Sequence, residues 1–199
     1  MWVFLATDTM GFGGLLLAYG LLRVRAAAWP DPAMRFDRPL AAALTFILLG
    51  SGATISAAVA AARRGQLRAA RVLLIVTVLA GLAFVAGQAL EFQALAGGRH
   101  VGLTGDHAAA LFYVIAGYHG LHVLVGIAVL VGVALKIEPA ARDAAASRMP
   151  PASPADDAAD DRSGAVGMLE VASLYWQFVD LVWIVIFTAL YLLPPVTRG

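Results

Sequence analysis

The chain has 199 residues, of which 61% are hydrophobic and 14% charged, whereas soluble domains are roughly 45–50% apolar and about 25% charged. No soluble core can cover that much apolar surface, so the composition predicts a membrane protein. The 14 Lys and Arg nearly balance the 13 Asp and Glu, which excludes a basic field for nucleic acid. Cysteine is absent, so disulfides and thiolate metal sites are excluded too.

Five apolar stretches have the length of membrane-spanning helices. A hydrocarbon core about 30 Å thick requires about 20 residues of helix. The first stretch begins MWVFLATDT, without a basic region or a small-residue cleavage site, so we expect it to be retained. The sequence therefore predicts an all-α polytopic membrane protein with five transmembrane helices, at residues 2–22, 39–62, 72–96, 108–135 and 168–193.

Three connections separate the later helices. Arginines on both sides of Gly65 indicate a short turn, which makes the second and third helices an antiparallel pair. Residues 96–106 are predicted to form a glycine-rich loop. Residues 139–165 are rich in Ala, Pro, Asp and Ser, a composition typical of a flexible acidic linker. The predicted organisation is helices one to four in 1–138, the linker in 139–165, and helix five with the C-terminus in 166–199.

Lys and Arg near the helix ends predict the orientation in the membrane. With the N-terminus inside, the inner loops carry eight of these residues and the outer loops six. We therefore expect the N-terminus on the cytoplasmic side and the C-terminus on the periplasmic or outer side.

Ionisable residues are rare within the predicted helices. Each costs about 2.5–3.5 kcal/mol on insertion scales, so each should face other helices. Rise per residue places His122 and Asp180 near mid-membrane, which predicts that these two side chains share one interhelical cluster. The ionisable set is Asp8, Glu91, His119, His122 and Asp180.

Several roles are open to these groups. Glu91, His119, His122 and Asp180 could bind a metal ion, by analogy with metal sites inside helical bundles. The main alternative is interhelical hydrogen bonding, and a proton relay is a third possibility. His119 and His122 lie three residues apart on one helix, so they cannot supply both axial ligands of a haem.

The predicted helices also contain glycines and aromatic residues whose positions indicate a role. The glycines, among them Gly52, Gly81 and Gly126, favour close contact between helices. Tyr191 lies near the predicted end of helix five, a position typical of an aromatic anchor at the membrane interface.

Four motifs in order along the chain resemble subunit III of the haem-copper respiratory oxidases, in the short five-helix bacterial form. AGYHGLHVLVG, residues 116–126, resembles the family's GFHGLHVIVG-like helix, and LYWQFVDLVWIVIFTALYLL, residues 174–193, its final helix. FLATDTMGFGGLLLAYG, residues 4–20, and GQALEFQAL, residues 87–95, resemble two earlier helices of that family.

The resemblance implies a non-catalytic subunit of a proton-pumping terminal oxidase, the oxidoreductase of aerobic respiration that reduces oxygen to water. Such subunits contact subunit I, hold phospholipids, and support proton uptake and sustained turnover. They have no catalytic centre, metal or cofactor of their own, since haem and copper lie in subunit I. The resemblance also implies subunit II as a second partner and the bacterial inner membrane as the location. By motif, the supporting polar residues are Asp8, Gln88, Glu91, His119, His122, Tyr175, Trp176 and Asp180.

Two positions differ from the family pattern. Asp8 stands where glutamate is usual, so the carboxylate is retained with a shorter reach. Gln177 stands where histidine is usual, so hydrogen bonding is retained and titration is lost.

Two other functions are compatible with the same helices. One is a subunit-III-like accessory of a nitric oxide reductase, which the co-purifying catalytic subunit would reveal. The other is a small independent carrier or channel, which would work in liposomes without partners.

Overall fold

The computed structural model describes residues 2–26, 28–29, 37–98, 107–146, 155–194 and 196–197. Five helices within these ranges are long and apolar enough to cross a membrane, which confirms the predicted all-α membrane bundle. The elements in order are α1 (Trp2–Arg25), β1 (Ala28–Trp29), α2 (Arg38–Arg63), α3 (Leu67–Gly98), α4 (His107–Ala146), α5 (Ala155–Phe187), a π-helical segment (Thr188–Leu192) and β2 (Val196–Thr197).

Helices α2 to α5 form a four-helix bundle, and α1 lies outside it. Each bundle helix contacts two neighbours in the ring α2, α3, α4, α5, while α1 contacts α4 and α5. The bundle interior is filled by large aromatic side chains, including Phe84, Phe112 and Trp183. Apolar side chains such as Phe46 and Leu79 are exposed on the outer faces, as expected where helices face lipid.

The predicted short turn between α2 and α3 is present, and a glycine helix cap forms it. Gly65 has a φ of 75°, a left-handed conformation that glycine adopts without steric cost. Its N–H bonds to the Ala62 carbonyl, and the Gln66 N–H bonds to the Ala61 carbonyl. This is the hydrogen-bond pattern of a Schellman motif, and it turns the chain directly from α2 into the antiparallel α3.

Hydrogen bonds join the C-terminal end of α1 to the segment that follows α5. Ala28 and Trp29 pair antiparallel with Thr197 and Val196. The Arg23 guanidinium donates to the Pro194 carbonyl. These contacts fix one end of α1 although α1 stands outside the bundle.

Helices α4 and α5 both extend into the predicted linker. Residues 139–146 belong to α4 and residues 155–165 to α5. Alanine, the strongest helix former, makes up five of the eight residues in the first segment and four of the eleven in the second. Residues 147–154 lie outside the described residues, as do residues 99–106 of the predicted glycine-rich loop. Flexibility of the linker stays a prediction.

Candidate functional site

All eight residues predicted as the polar site are buried inside the described helices. Their exposed fractions range from 0% for His119 and Trp176 to 8% for Asp8 and His122. They do not form one cluster, because they occupy several separate contacts between helix pairs.

Asp8 on α1 lies against His122 on α4. The Asp8 Oδ2 and His122 Nε2 atoms are 3.4 Å apart, and His122 Nδ1 lies 2.8 Å from the Tyr118 carbonyl one turn earlier. The Tyr175 hydroxyl of α5 donates to the His122 carbonyl at 3.1 Å. The rings of Phe12 and Tyr118 flank the His122 ring. This contact therefore joins α1, α4 and α5 at one depth.

Trp176 on α5 touches the three other helices of the bundle. Its Nε1–H donates to the Ser51 hydroxyl of α2 at 2.8 Å. Its ring lies so close to Gly81 of α3 that a Cβ there would come within 2.6 Å of the ring edge, and within 3.0 Å at Gly126 of α4. Two glycines thus provide the space for the indole between α3 and α4.

Asp180 on α5 faces the backbone of α2. A Cβ added at Gly52 would lie 2.6 Å from the Asp180 Oδ2 atom. The buried Oδ1 atom of Asp180 has no hydrogen-bond partner among the described residues. The prediction that Asp180 and His122 share a cluster is wrong, since His122 instead contacts Asp8. Equal depth brings two residues together only when their helices also turn the same faces towards each other.

His119 lies in an aromatic enclosure at the centre of the bundle. It stacks on Trp183 with ring centroids 5.0 Å apart and meets the edge of Phe84 at 5.7 Å. Neither ring nitrogen has a hydrogen-bond partner in the described part of the chain. His119 therefore contributes packing area in a layer shared by α3, α4 and α5.

Glu91 and Gln88 occupy the same side of α3. The Tyr191 hydroxyl donates to Glu91 Oε2 at 2.7 Å, and Gln88 lies against Gly120 of α4. The expectation that Tyr191 is an interface anchor is wrong, because Tyr191 is fully buried. The π-helical segment includes Tyr191, so the side-chain direction there departs from α-helical spacing.

The hydroxyl groups of α2 that contact the buried indole of Trp183 and the Thr77 hydroxyl of α3 were not among the predicted site residues. Thr45 accepts from Trp183 Nε1 at 2.9 Å, and the hydroxyls of Thr54 and Thr77 lie 2.7 Å apart between α2 and α3. The hydroxyl residues inside α2 could have indicated these contacts, since hydroxyl groups form hydrogen bonds between membrane helices. The sequence offers no means to assign each hydroxyl to its indole.

The arrangement is suited to holding helices together. Within the described ranges, no group of three or more His, Asp or Glu side chains could hold a metal ion. The four residues considered for a metal site are divided among separate partners: His122 faces Asp8, Glu91 faces Tyr191, Asp180 faces Gly52, and His119 faces Trp183.

The contact between Gly52 and Asp180 gives a first testable prediction. Gly52→Ala should lower the free energy of unfolding by about 1–3 kcal/mol, the usual cost of overpacking, because its Cβ would overlap a buried carboxylate. Gly50→Ala in the same helix is the matched control, since nothing lies within 4 Å of its Cβ position. Thermal unfolding in detergent, followed by circular dichroism, measures both. Equal midpoints for the two variants would contradict the assignment.

The fold and the buried contacts define a class of protein: a multi-pass membrane protein whose intramembrane polar groups join helices. The family model for cytochrome c oxidase subunit III matches residues 2–140, and the chain belongs to this family.

Curated relatives align along almost the whole chain. "Cytochrome c oxidase subunit 3" of Thermostichus vulcanus is 34% identical over 191 residues, covering 96% of this chain and 84% of the relative. "Probable cytochrome c oxidase subunit 3" of Mycobacterium bovis is 32% identical, covering 95% and 84%. "Quinol oxidase subunit 3" of Bacillus subtilis is 30% identical, covering 96% and 84%. The predicted class, an oxidase subunit III, is confirmed, and these relatives favour neither the nitric oxide reductase accessory nor the independent carrier.

Proposed function

We propose that this chain contacts the catalytic subunit I, and also subunit II, of a proton-pumping haem-copper terminal oxidase in a bacterial inner membrane. Subunit I would carry the haem and copper and reduce oxygen to water. The chain would hold structural phospholipids and support proton uptake and sustained turnover. We further propose that its N-terminus is cytoplasmic and its C-terminus periplasmic.

The observation that carries this proposal is the buried contact of Asp8 with His122. It joins α1, which stands outside the four-helix bundle, to α4 near the middle of the helix. An intramembrane carboxylate is costly and therefore usually has a function. Asp8 contacts α4 from a helix whose opposite face is exposed at Val3, Met10 and Leu17. Such a face suits contact with a neighbouring subunit or with lipid.

The remaining polar residues support the same role through packing. Trp176, Tyr175 and Asp180 fix α5 against α2 and α4, and Gln88, Glu91 and His119 fill the interior between α3 and its neighbours. A rigid bundle would present α1 to the partner in one orientation. None of these residues is assigned a catalytic step.

Purification under mild detergent tests the proposal. The full chain carries an affinity tag, the eluate is examined for a haem spectrum, and the largest co-purifying chain is identified by mass spectrometry. We expect a haem-containing catalytic subunit and oxygen consumption with cytochrome c or a quinol. A tagged, unrelated multi-pass protein from the same membrane is the control. A stable monomer without a haem-containing partner would overturn the proposal, and ion flux through liposomes containing the chain alone would favour a carrier.

A further inference from the structure

The C-terminal end of α1 is held by the chain that follows α5. The Arg23 guanidinium is buried, donates to the Pro194 carbonyl and lies 3.5 Å from the Tyr19 hydroxyl. The Tyr19 ring meets the Trp29 ring almost at a right angle, with centroids 5.4 Å apart. Helix α1, strand β1 and the residue that follows the end of the helical chain therefore meet in one small cluster.

A second contact lies directly beyond this cluster. Strand β2 follows Pro194 closely and pairs antiparallel with β1, so that Ala28 stands opposite Thr197 and Trp29 opposite Val196. An isolated two-stranded ribbon is only marginally stable in water. The pair therefore depends on neighbouring contacts to keep its strands together. We call Pro194 and β2 together the strap.

The π-helical segment before the strap determines where the strap lies. Within this segment Tyr191 is fully buried, and its hydroxyl donates to Glu91 Oε2 at 2.7 Å. The Tyr191 ring stacks on Phe187 with centroids 5.4 Å apart. Leu193, which follows the segment, is extended, with a φ of −68° and a ψ of 132°, as is usual for a residue before proline. The chain therefore leaves the helix just after Tyr191 and reaches Arg23 with the next residue.

The π-helical geometry links the interior of the bundle to α1. Such segments are rare and occur frequently at functional sites. A π-helical turn contains more residues than an α-helical turn, so a change of this segment to an α-helix would turn the following residues to a different angle about the helix axis. Glu91 of α3 bonds to the segment, and Arg23 of α1 bonds to the strap. One short segment is thus connected to α3 on one side and to α1 on the other.

We propose that the strap fixes the tilt of α1, and that the hydrogen bond from Tyr191 to Glu91 keeps the strap in place. With this bond, the π-helical segment directs the strap to α1 and β1. Without it, the segment returns to α-helical geometry and the strap turns away. Helix α1 then pivots about its other attachment, the contact of Asp8 with His122. This conformational device uses only contacts within the chain, so it goes beyond the proposed function and does not depend on it.

Amide hydrogen exchange of the purified full chain in mild detergent, with any subunits that remain bound, tests the proposal. The exchange rate of a protected amide reports how often its segment opens. In Tyr191→Phe, the peptides that contain β1 and β2 should exchange about tenfold faster, the effect of losing one buried hydrogen bond. Tyr113→Phe is the matched control and should leave this exchange unchanged, because the Tyr113 hydroxyl donates to the Phe92 carbonyl at 3.4 Å, away from the strap.

Pulsed electron paramagnetic resonance measures the tilt of α1. The chain contains no cysteine, so two introduced cysteines can carry nitroxide labels without interference. Leu21→Cys and Phe46→Cys place the labels at exposed positions of α1 and α2. Tyr191→Phe and Arg23→Gln should each shift and broaden the distance between these labels. The distance between labels at Met10→Cys, near the pivot, and Phe46→Cys should stay unchanged.

Several results would overturn the proposal. These are unchanged exchange of β1 and β2 in Tyr191→Phe, an equal increase in Tyr113→Phe, and an increase spread evenly over α2 to α5, which would indicate a general loss of stability. If Tyr191→Phe fails to fold, Arg23→Gln provides the test, because it removes the contact of α1 with the strap and leaves the bundle interior unaltered. It should accelerate exchange of β1 and β2 while α2 to α5 stay protected, and slow exchange of both strands in this variant would contradict the role of the strap.

Discussion

Trp176→Ala is expected to lower the free energy of unfolding by about 3–5 kcal/mol, the range measured when a large buried aromatic side chain is truncated. The indole is fully buried and occupies space left by Gly81 and Gly126. Its removal would leave a cavity between three helices that two glycines cannot fill. It would also remove the hydrogen bond that Ser51 accepts across the bundle.

Trp176→Phe separates packing from hydrogen bonding. The phenyl ring keeps most of the apolar area of the indole but lacks its N–H donor. Loss of an ordinary hydrogen bond lowers the free energy of unfolding by about 0.5–1.5 kcal/mol. Ser51 still donates to the Leu48 carbonyl at 2.6 Å, so its hydroxyl is not left unpaired. Thermal midpoints from circular dichroism in one detergent rank the three proteins. If Trp176→Ala and Trp176→Phe both left the thermal midpoint nearly unchanged, Trp176 would not be the residue that joins these helices.

Local physical chemistry was sufficient to predict the helices. Apolar length gave five spans, and arginines around Gly65 gave the antiparallel pair, because hydrocarbon thickness and turn geometry act on short segments of chain. The ends of α4 and α5 were harder to predict. The composition of residues 139–165 indicates a segment that forms no packed core, but its alanines also favour helix. In the structure, α4 continues through residues 139–146 and α5 includes residues 155–165.

Burial of the polar residues could be predicted from the sequence, but their partners could not. The cost of an ionisable group inside a membrane correctly indicated that Asp8, His122 and Asp180 would be buried. Pairing depends also on how each helix is rotated about its axis. That rotation depends on the fit of large side chains against glycines, such as Trp176 against Gly81, and no single helix contains this information.

The two kinds of comparison support different parts of the chain. The family model covers residues 2–140, which include Asp8, Glu91 and His122. Trp176 and Asp180 lie outside residues 2–140. The curated relatives, however, align with about the whole chain. In the structure, Tyr175 donates to the His122 carbonyl and Trp176 donates to Ser51. The contacts of α5 therefore link the C-terminal helix physically to the segment that the family model defines.

Asp8→Ala is expected to leave the chain assembled with its partner while shortening active turnover several-fold. The side chain is small and lies at the contact of α1 with α4, whereas the ring α2 to α5 has its own extensive contacts. Loss of the carboxylate would leave α1 joined to the bundle through Phe12 and, at its other end, through Arg23. Helix α1 would then be less firmly oriented towards the catalytic subunit that we propose it contacts.

The measurement for Asp8 is the number of turnovers completed before activity is lost, at several substrate concentrations. A role in sustaining turnover predicts inactivation that scales with turnovers, whereas simple destabilisation predicts inactivation that scales with elapsed time. Asp8→Glu is the conservative control and should retain the long active period, because its carboxylate can still reach His122. The loss in the double variant Asp8→Ala with His122→Ala should be smaller than the sum of the two single losses, because the two side chains share one contact. An unchanged number of turnovers in Asp8→Ala would show that the contact between α1 and α4 has no part in sustaining activity.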